Sequence, residues 1–166
     1  MLDPRSSPSL PAPTNFPAGI RLAQPGDQDE LFHLLSMAHA ENGFGEMDSN
    51  VVSTVIQSAV DGKRIVMAVV PGPKGIEAVI GLQPDKPWQT KPQSGWHYSD
   101  LLTYVRPDCR RSRHFFKLMA FADWWANHSG IPVILHVVAK ERLGPKLKAF
   151  GRHATQIGGS FRFEGA

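Results

Sequence analysis

Residues 105–119 read VRPDCRRSRHFFKLM, and the fold turns on how this stretch divides. Ahead of it, WHYSDLLTYV (96–105) has the β-branched and aromatic character of a strand, which Arg106-Pro107 ends. Behind it, Phe115, Leu118, Met119, Ala122, Trp125 and Ala126 recur at helical spacing until Gly130 closes the run. The basic residues Arg110, Arg111, Arg113 and His114 thus fall where a strand hands over to the first turn of a helix. Amides of that turn have no intrahelical acceptor and the positive end of the helix dipole faces outward, so the junction attracts an anion. Guanidinium groups strengthen such a site. Spacing alone leaves open an exposed basic turn with no ligand.

Working outward, GIRLAQPGDQDELFHLLSMAHAENG gives a short strand at Ile20–Ala23, a turn at Pro25-Gly26 and a helix capped by Asp27. Glu30 is placed for a capping box, and Gly43 is the stop. A second helix spans about Ser49–Val60, with Val52, Val55, Ile56 and Ala59 on one face. RIVMAVV (64–70) and IEAVIGL (76–82), joined by PGPKG, predict an antiparallel hairpin. PVILHVVA (132–139) is apolar enough for a strand buried on both faces, with a parallel neighbour. A short helix from Pro145 to about Arg152 and a strand near Gly158–Phe163 complete the order β-α-α-β-β-β-α-β-α-β. This is an α/β (α+β) domain with a mixed sheet flanked by helices, in which the unit 98–139 forms a right-handed parallel crossover. Residues 1–17, with prolines at 4, 8, 11, 13 and 17, read as a flexible extension, and 18–166 as a single domain.

With 42% hydrophobic and 20% charged residues the composition is globular, and no apolar run approaches the roughly 20 residues of a membrane helix. The one cysteine, Cys109, excludes an intrachain disulfide and fits a reducing compartment; the N-terminus has no apolar core of signal-peptide length. The cytoplasm is the expected address. The formal charge of +3 conceals an asymmetry: 7 Lys/Arg against 11 Asp/Glu in residues 1–105, and 11 against 4 in 106–166. An anionic partner would be drawn to the C-terminal part. Lys140, Arg142, Lys146, Lys148 and Arg152 extend the positive field and admit a nucleic-acid reading, although no helix-turn-helix or aromatic strand motif accompanies them.

The order of elements and the residues Val105-Arg106-Pro107-Asp108-Cys109-Arg110 together resemble the GNAT (GCN5-related N-acetyltransferase) superfamily. In that family a strand ends in a hydrophobic-x-Pro segment, and an Arg/Gln-x-x-Gly-x-Gly/Ala turn receives the pyrophosphate of acetyl-coenzyme A. Arg110 takes the lead position, while Arg113 and Phe115 stand where the family has small residues. The Arg-Arg-Ser turn, HAENG at 39–43 and the ending ATQIGGSFRF are similar to a divergent branch of small bacterial and phage acetyltransferases. The resemblance covers residues 19–166. It implies a mostly antiparallel GNAT-like sheet and acetyl-CoA as cosubstrate, with no metal. The pyrophosphate would lie on Arg111, Ser112, Arg113, His114 and Phe115, supported by Arg110. The pantetheine would lie along Leu102, Thr103 and Val105, in a gap between 102–105 and 133–137. The implied reaction is direct acetyl transfer to a small-molecule or peptide amine; a GNAT-fold binding or assembly module without turnover is the alternative.

An amine must lose a proton before it attacks a thioester. Candidate bases are Glu41, Asp100 and His97, and Tyr104 is a candidate donor. Strand alternation predicts His97, Ser99, Leu101 and Thr103 on one face, with Tyr98, Asp100, Leu102 and Tyr104 on the other. Phe150 aligns with the tyrosine that the family often uses to protonate the leaving thiolate. Neighbouring arginines could lower the Cys109 pKa, but no His and acid pair for a nucleophilic role is identifiable around it. The seven histidines show no metal-ligand spacing. Trp124 falls nearly opposite the apolar stripe of its helix and predicts a second burial partner, either a second copy of the chain or the chain's own tail or 84–95 loop.

Overall fold

The computed structural model describes residues 15–42, 45–86, 95–136, 155–157 and 160–163. Within these, the chain runs β1 (Arg21–Leu22), α1 (Gln28–Asn42), α2 (Ser49–Val60), β2 (Val66–Gly72), β3 (Gly75–Asp85), β4 (His97–Val105), α3 (His114–Ser129), β5 (Val133–His136), β6 (Thr155–Ile157) and β7 (Ser160–Phe163). The described strands form one sheet in the order β1-β2-β3-β4-β5-β7-β6. Every neighbouring pair is antiparallel except β4 and β5, which are parallel as the sequence required. The C-terminal strand is a hairpin, β6–β7, rather than a single strand. The helix expected at 145–152 lies outside the described residues.

The sheet is the middle of three layers, which explains why Val66–Val70 are all buried. On one side, Val66, Ala68, Val70, Ala78, Ile80 and Leu82 pack with Leu118, Met119, Phe121, Ala122, Trp125 and Ala126 of α3. On the other, Met67, Val69 and Val79 pack with Leu31, Leu34 and Ala38 of α1 and Ile56 and Ala59 of α2. Burying one such side chain stabilises the fold by about 1.5–3 kcal/mol, so the two layers hold β2 and β3 as the rigid centre. No helix among the described residues is long and apolar enough to cross a membrane.

Phe16 covers the outer part of α3. Its ring lies 4.9 Å from that of Trp124 and 6.4 Å from that of Phe121, and the His128 ring stacks on Trp124 at 4.7 Å. The partner expected for Trp124 is therefore supplied, at least on this side, by the chain's own N-terminal segment.

The start of α1 differs from the expected capping box. The Asp27 carboxylate accepts from the Arg21 guanidinium at 2.6 and 2.9 Å and from the Gln24 amide at 2.9 Å. Glu30 accepts from the Ile76 amide at 2.6 Å, so it ties α1 to the β2–β3 hairpin. The charged Arg21 outcompetes the helix amides for Asp27, and the Ile76 amide takes Glu30. Hydrogen bonding to Arg21 holds the Asp27 carboxyl below its ordinary pKa of 3.8. Its contribution is therefore complete above that value and is lost as pH falls through the lower folded-state pKa. Asp27→Asn is expected to lower stability at neutral pH by about 1–2 kcal/mol. Denaturant titrations of both proteins from pH 7 down to pH 2 should show the difference shrinking only below the ordinary carboxylate pKa.

Candidate functional site

Two features of β4 create the site. The first is a change of register against β3: Gly81 pairs with Leu102, whereas Leu82 pairs with Asp100. Leu101 is the extra residue, a β-bulge, and a bulge reverses the alternation beyond it. The faces expected from simple alternation are corrected accordingly. Tyr98 packs into the α3-side core, edge-on to Trp125 at 5.7 Å, whereas Leu102 and Tyr104 belong to the α1–α2 side.

The second feature is where β4 leaves β5. Among the described residues, main-chain pairing links Tyr98↔Val133 and Ser99↔Ile134. At the next step the Asp100 carboxylate takes over, accepting from the His136 amide and from its ring Nδ1, both at 2.9 Å. A side chain stands where a ladder acceptor would be, and β4 continues to Val105 beyond the end of the paired segment. The residues opposite Leu102–Val105 on the β5 side, from position 137, lie outside the described residues.

Beyond β4, Pro107–Cys109 form a 3-10 turn. The Cys109 amide donates to the Arg106 carbonyl at 2.9 Å and the Ser112 amide to the Cys109 carbonyl at 3.0 Å. Ser112 Oγ receives the His114 amide at 3.2 Å. The first helical bond of α3 runs from the Lys117 amide to the Arg113 carbonyl, so the amides of Phe115 and Phe116 precede the intrahelical ladder. Arg113 occupies the cap position without a side-chain capping bond. Arg111, Ser112 and Arg113 are exposed. Arg113 has φ −87°, so the turn is made without the left-handed backbone for which glycine is needed.

Two of the residues placed in this cradle turn their side chains inward. Phe115 packs against the α3-side core. The His114 ring bonds the buried Glu77 carboxylate at 2.6 Å, an acid that the sequence reading passed over although it stands alone in the apolar run IEAVIGL. Gly72 makes room for that carboxylate, because any Cβ there would collide with it.

Facing the turn, α1 delivers Glu41. Tyr104 Oη donates to its carboxylate at 3.0 Å, and the Arg110 guanidinium donates to the same oxygen. Arg110 also lies 5.7 Å from the centre of the Tyr104 ring and donates through Nε to the Val105 carbonyl at 3.3 Å. The structure thus joins Glu41, Tyr104 and Arg110 and sets Asp100 apart with His136. His97 contacts only its own loop among the bonds described, at the Gly95 carbonyl 3.4 Å away.

No family model matches the chain, and no curated protein matches it in sequence. Solved structures do. A possible acetyltransferase from Clostridium difficile 630 superposes with a TM-score of 0.65 at 18% identity, covering 83% of this chain and 90% of the other. NAA60 of Arabidopsis thaliana, in complex with a bisubstrate analogue, gives 0.60 at 16% identity, covering 87% and 94%. An acetyltransferase assigned by prediction, from Clostridium acetobutylicum and solved with acetyl-CoA, gives 0.63 at 14% identity, covering 83% and 89%. The chain has the GNAT fold.

On this GNAT fold the electrostatics differ from the expectation at Cys109. Burial and a hydrogen bond to Asp108 push its thiol pKa up, and Arg110 is engaged with Glu41. A raised thiol pKa argues against a nucleophilic cysteine. Among the described residues, the ligating atoms of Glu77, Cys109 and His114 lie within 4.8 Å of one another, and a cation there would displace the His114–Glu77 bond.

Burial, and then the Glu41 carboxylate, push the Tyr104 phenol up to about 12. The chain's two tyrosines allow a direct test. In a Tyr98→Phe background, spectrophotometric titration should place Tyr104 near that value, and Glu41→Gln should lower it without restoring the ordinary value of 10.0, since burial persists.

Proposed function

We propose that this chain is an acetyl-CoA-dependent N-acetyltransferase that acts on a small-molecule or peptide amine by direct transfer. The observation that supports this most strongly is the continuity of β4, past its described pairing with β5, with a basic helix start. The exposed guanidinium groups of Arg111 and Arg113, set beside the amides that precede the helical ladder of α3, suit a pyrophosphate, and Leu102–Val105, on the side of β4 away from β3, suits the amides of a pantetheine arm.

Acetyl-CoA supplies an activated acyl thioester, and the residues supply position and proton transfer. With the phosphates held at α3, the reacting end lies toward Asp100 and His136, where the strands part. An ionised carboxylate only accepts, so Asp100 fixes the hydrogen of His136 on Nδ1 and leaves Nε2 basic. The His136 side chain is 52% exposed and can take a proton from the acceptor's ammonium group. In the transfer the new C–N bond forms as the C–S bond breaks, the amine proton passes to His136 or water, and the thiolate is protonated from solvent. Tyr104 is the weaker candidate for that donor, because its phenol is already bonded to Glu41 and is hard to ionise. Phe150, aligned with the usual donor, lies outside the described residues.

Calorimetry with acetyl-CoA and CoA tests the reading first: binding is expected, and none at millimolar ligand overturns it. Arg111→Ala with Arg113→Ala should weaken binding about tenfold or more. A thiol-release assay over an amine panel then separates an enzyme from a binding module. His136→Gln is expected to lower kcat about 100-fold with little change in the KM for acetyl-CoA.

A further inference from the structure

We infer that Arg110 is shared between two anions, and that Glu41 acts through it as a brake on cofactor binding. The inference rests on the acetyl-CoA reading above and assigns Glu41 a role in it distinct from that of a base. Tyr104 lies beyond the bulge, roughly 10 Å along the strand from Asp100, so Glu41 and Tyr104 meet near the phosphate end rather than the reacting end.

There the free chain has already matched Arg110 with partners. Its guanidinium bonds the Glu41 carboxylate through Nη2 and the Val105 carbonyl through Nε, with the Tyr104 ring alongside. A negative charge at Glu41 therefore offsets the positive field of the turn just before the first helical amides. The pairing is weak enough to exchange. Both side chains are partly exposed, 36% for Arg110 and 45% for Glu41, and ion pairs of that kind contribute little because solvent screens them. A pyrophosphate with two charges and several acceptor oxygens is the stronger partner for a guanidinium.

When Arg110 turns to the phosphates, the Tyr104 hydroxyl remains bonded to Glu41, so the carboxylate is not stranded. When product CoA must leave, the same carboxylate stands ready to take the arginine back. Linkage makes the effect reciprocal: whatever favours the Glu41–Arg110 pair disfavours the bound phosphates by the same factor. Glu41 is thus a positioning residue that sets the residence time of the cofactor.

Glu41→Gln isolates the charge, because glutamine keeps an oxygen acceptor for Tyr104 and Arg110 on an exposed last turn of α1. By calorimetry it should bind CoA and inorganic pyrophosphate about two- to fivefold more tightly than wild type. Stopped-flow measurement should show slower CoA release. The gain should vanish in an Arg110→Ala background, and shrink at high salt as the charges are screened. Unchanged or weaker binding by Glu41→Gln, with wild type binding normally, overturns the brake and leaves the acetyl-CoA reading standing. Failure of wild type to bind either ligand overturns both.

Discussion

β4 has to satisfy two neighbours that ask different things of it. Against β3 it pairs along its whole length, from Asp85↔His97 to Ala78↔Val105, and this fixes it in the centre of the sheet. Against β5 it pairs at two positions and then departs. Main-chain groups from Leu101 onward on that side are left without a described strand partner, although they lie beside the core rather than at a sheet edge. The bulge at Leu101 shifts the register against β3, the Asp100–His136 bridge lies at the end of the described pairing with β5, and the basic turn follows the last residue of β4.

The turn between β4 and α3 is built without glycine. Its frame is made by side chains: His114 reaches back to Glu77, Lys74 pairs with Asp108 at 2.7 Å, and Arg106 donates to the Lys74 carbonyl at 2.8 Å. These contacts tie the turn to the β2–β3 hairpin, the stiffest part of the sheet. Exposed ion pairs such as Lys74–Asp108 are individually worth little, whereas the buried His114–Glu77 bond carries a larger penalty if broken. Glu77 therefore holds the turn in place more firmly than the exposed Lys74–Asp108 pair does.

Much of the architecture was legible in the sequence because it depends on local periodicity. The hairpin, α3 and the parallel β4–β5 pair follow from apolar spacing and punctuation by glycine and proline. The faces of β4 did not, since one inserted residue leaves no mark on composition yet inverts everything after it. Glu30 carried a local signature that the distant Ile76 amide overrode, and Asp27 one that Arg21 overrode. At the site, Glu41, Tyr104 and Arg110 were each nameable, but their union joins residues 69 positions apart, which no spacing rule reports. His136 stood in plain view as the one polar residue of VILH, and only the register of β5 on β4 gives it Asp100.

The aromatic stack of Phe16, Phe121 and Trp124 has a consequence for how the molecule is made. Phe121 and Trp124 of α3 are met by Phe16, a residue that leaves the ribosome long before α3 does, so the N-terminal segment must wait while the sheet is synthesised. Closing this contact is a non-local event of high loop-closure entropy, and such contacts form late. During synthesis the nascent chain therefore displays Phe16 to chaperones and to other nascent chains until the helix that shields it arrives.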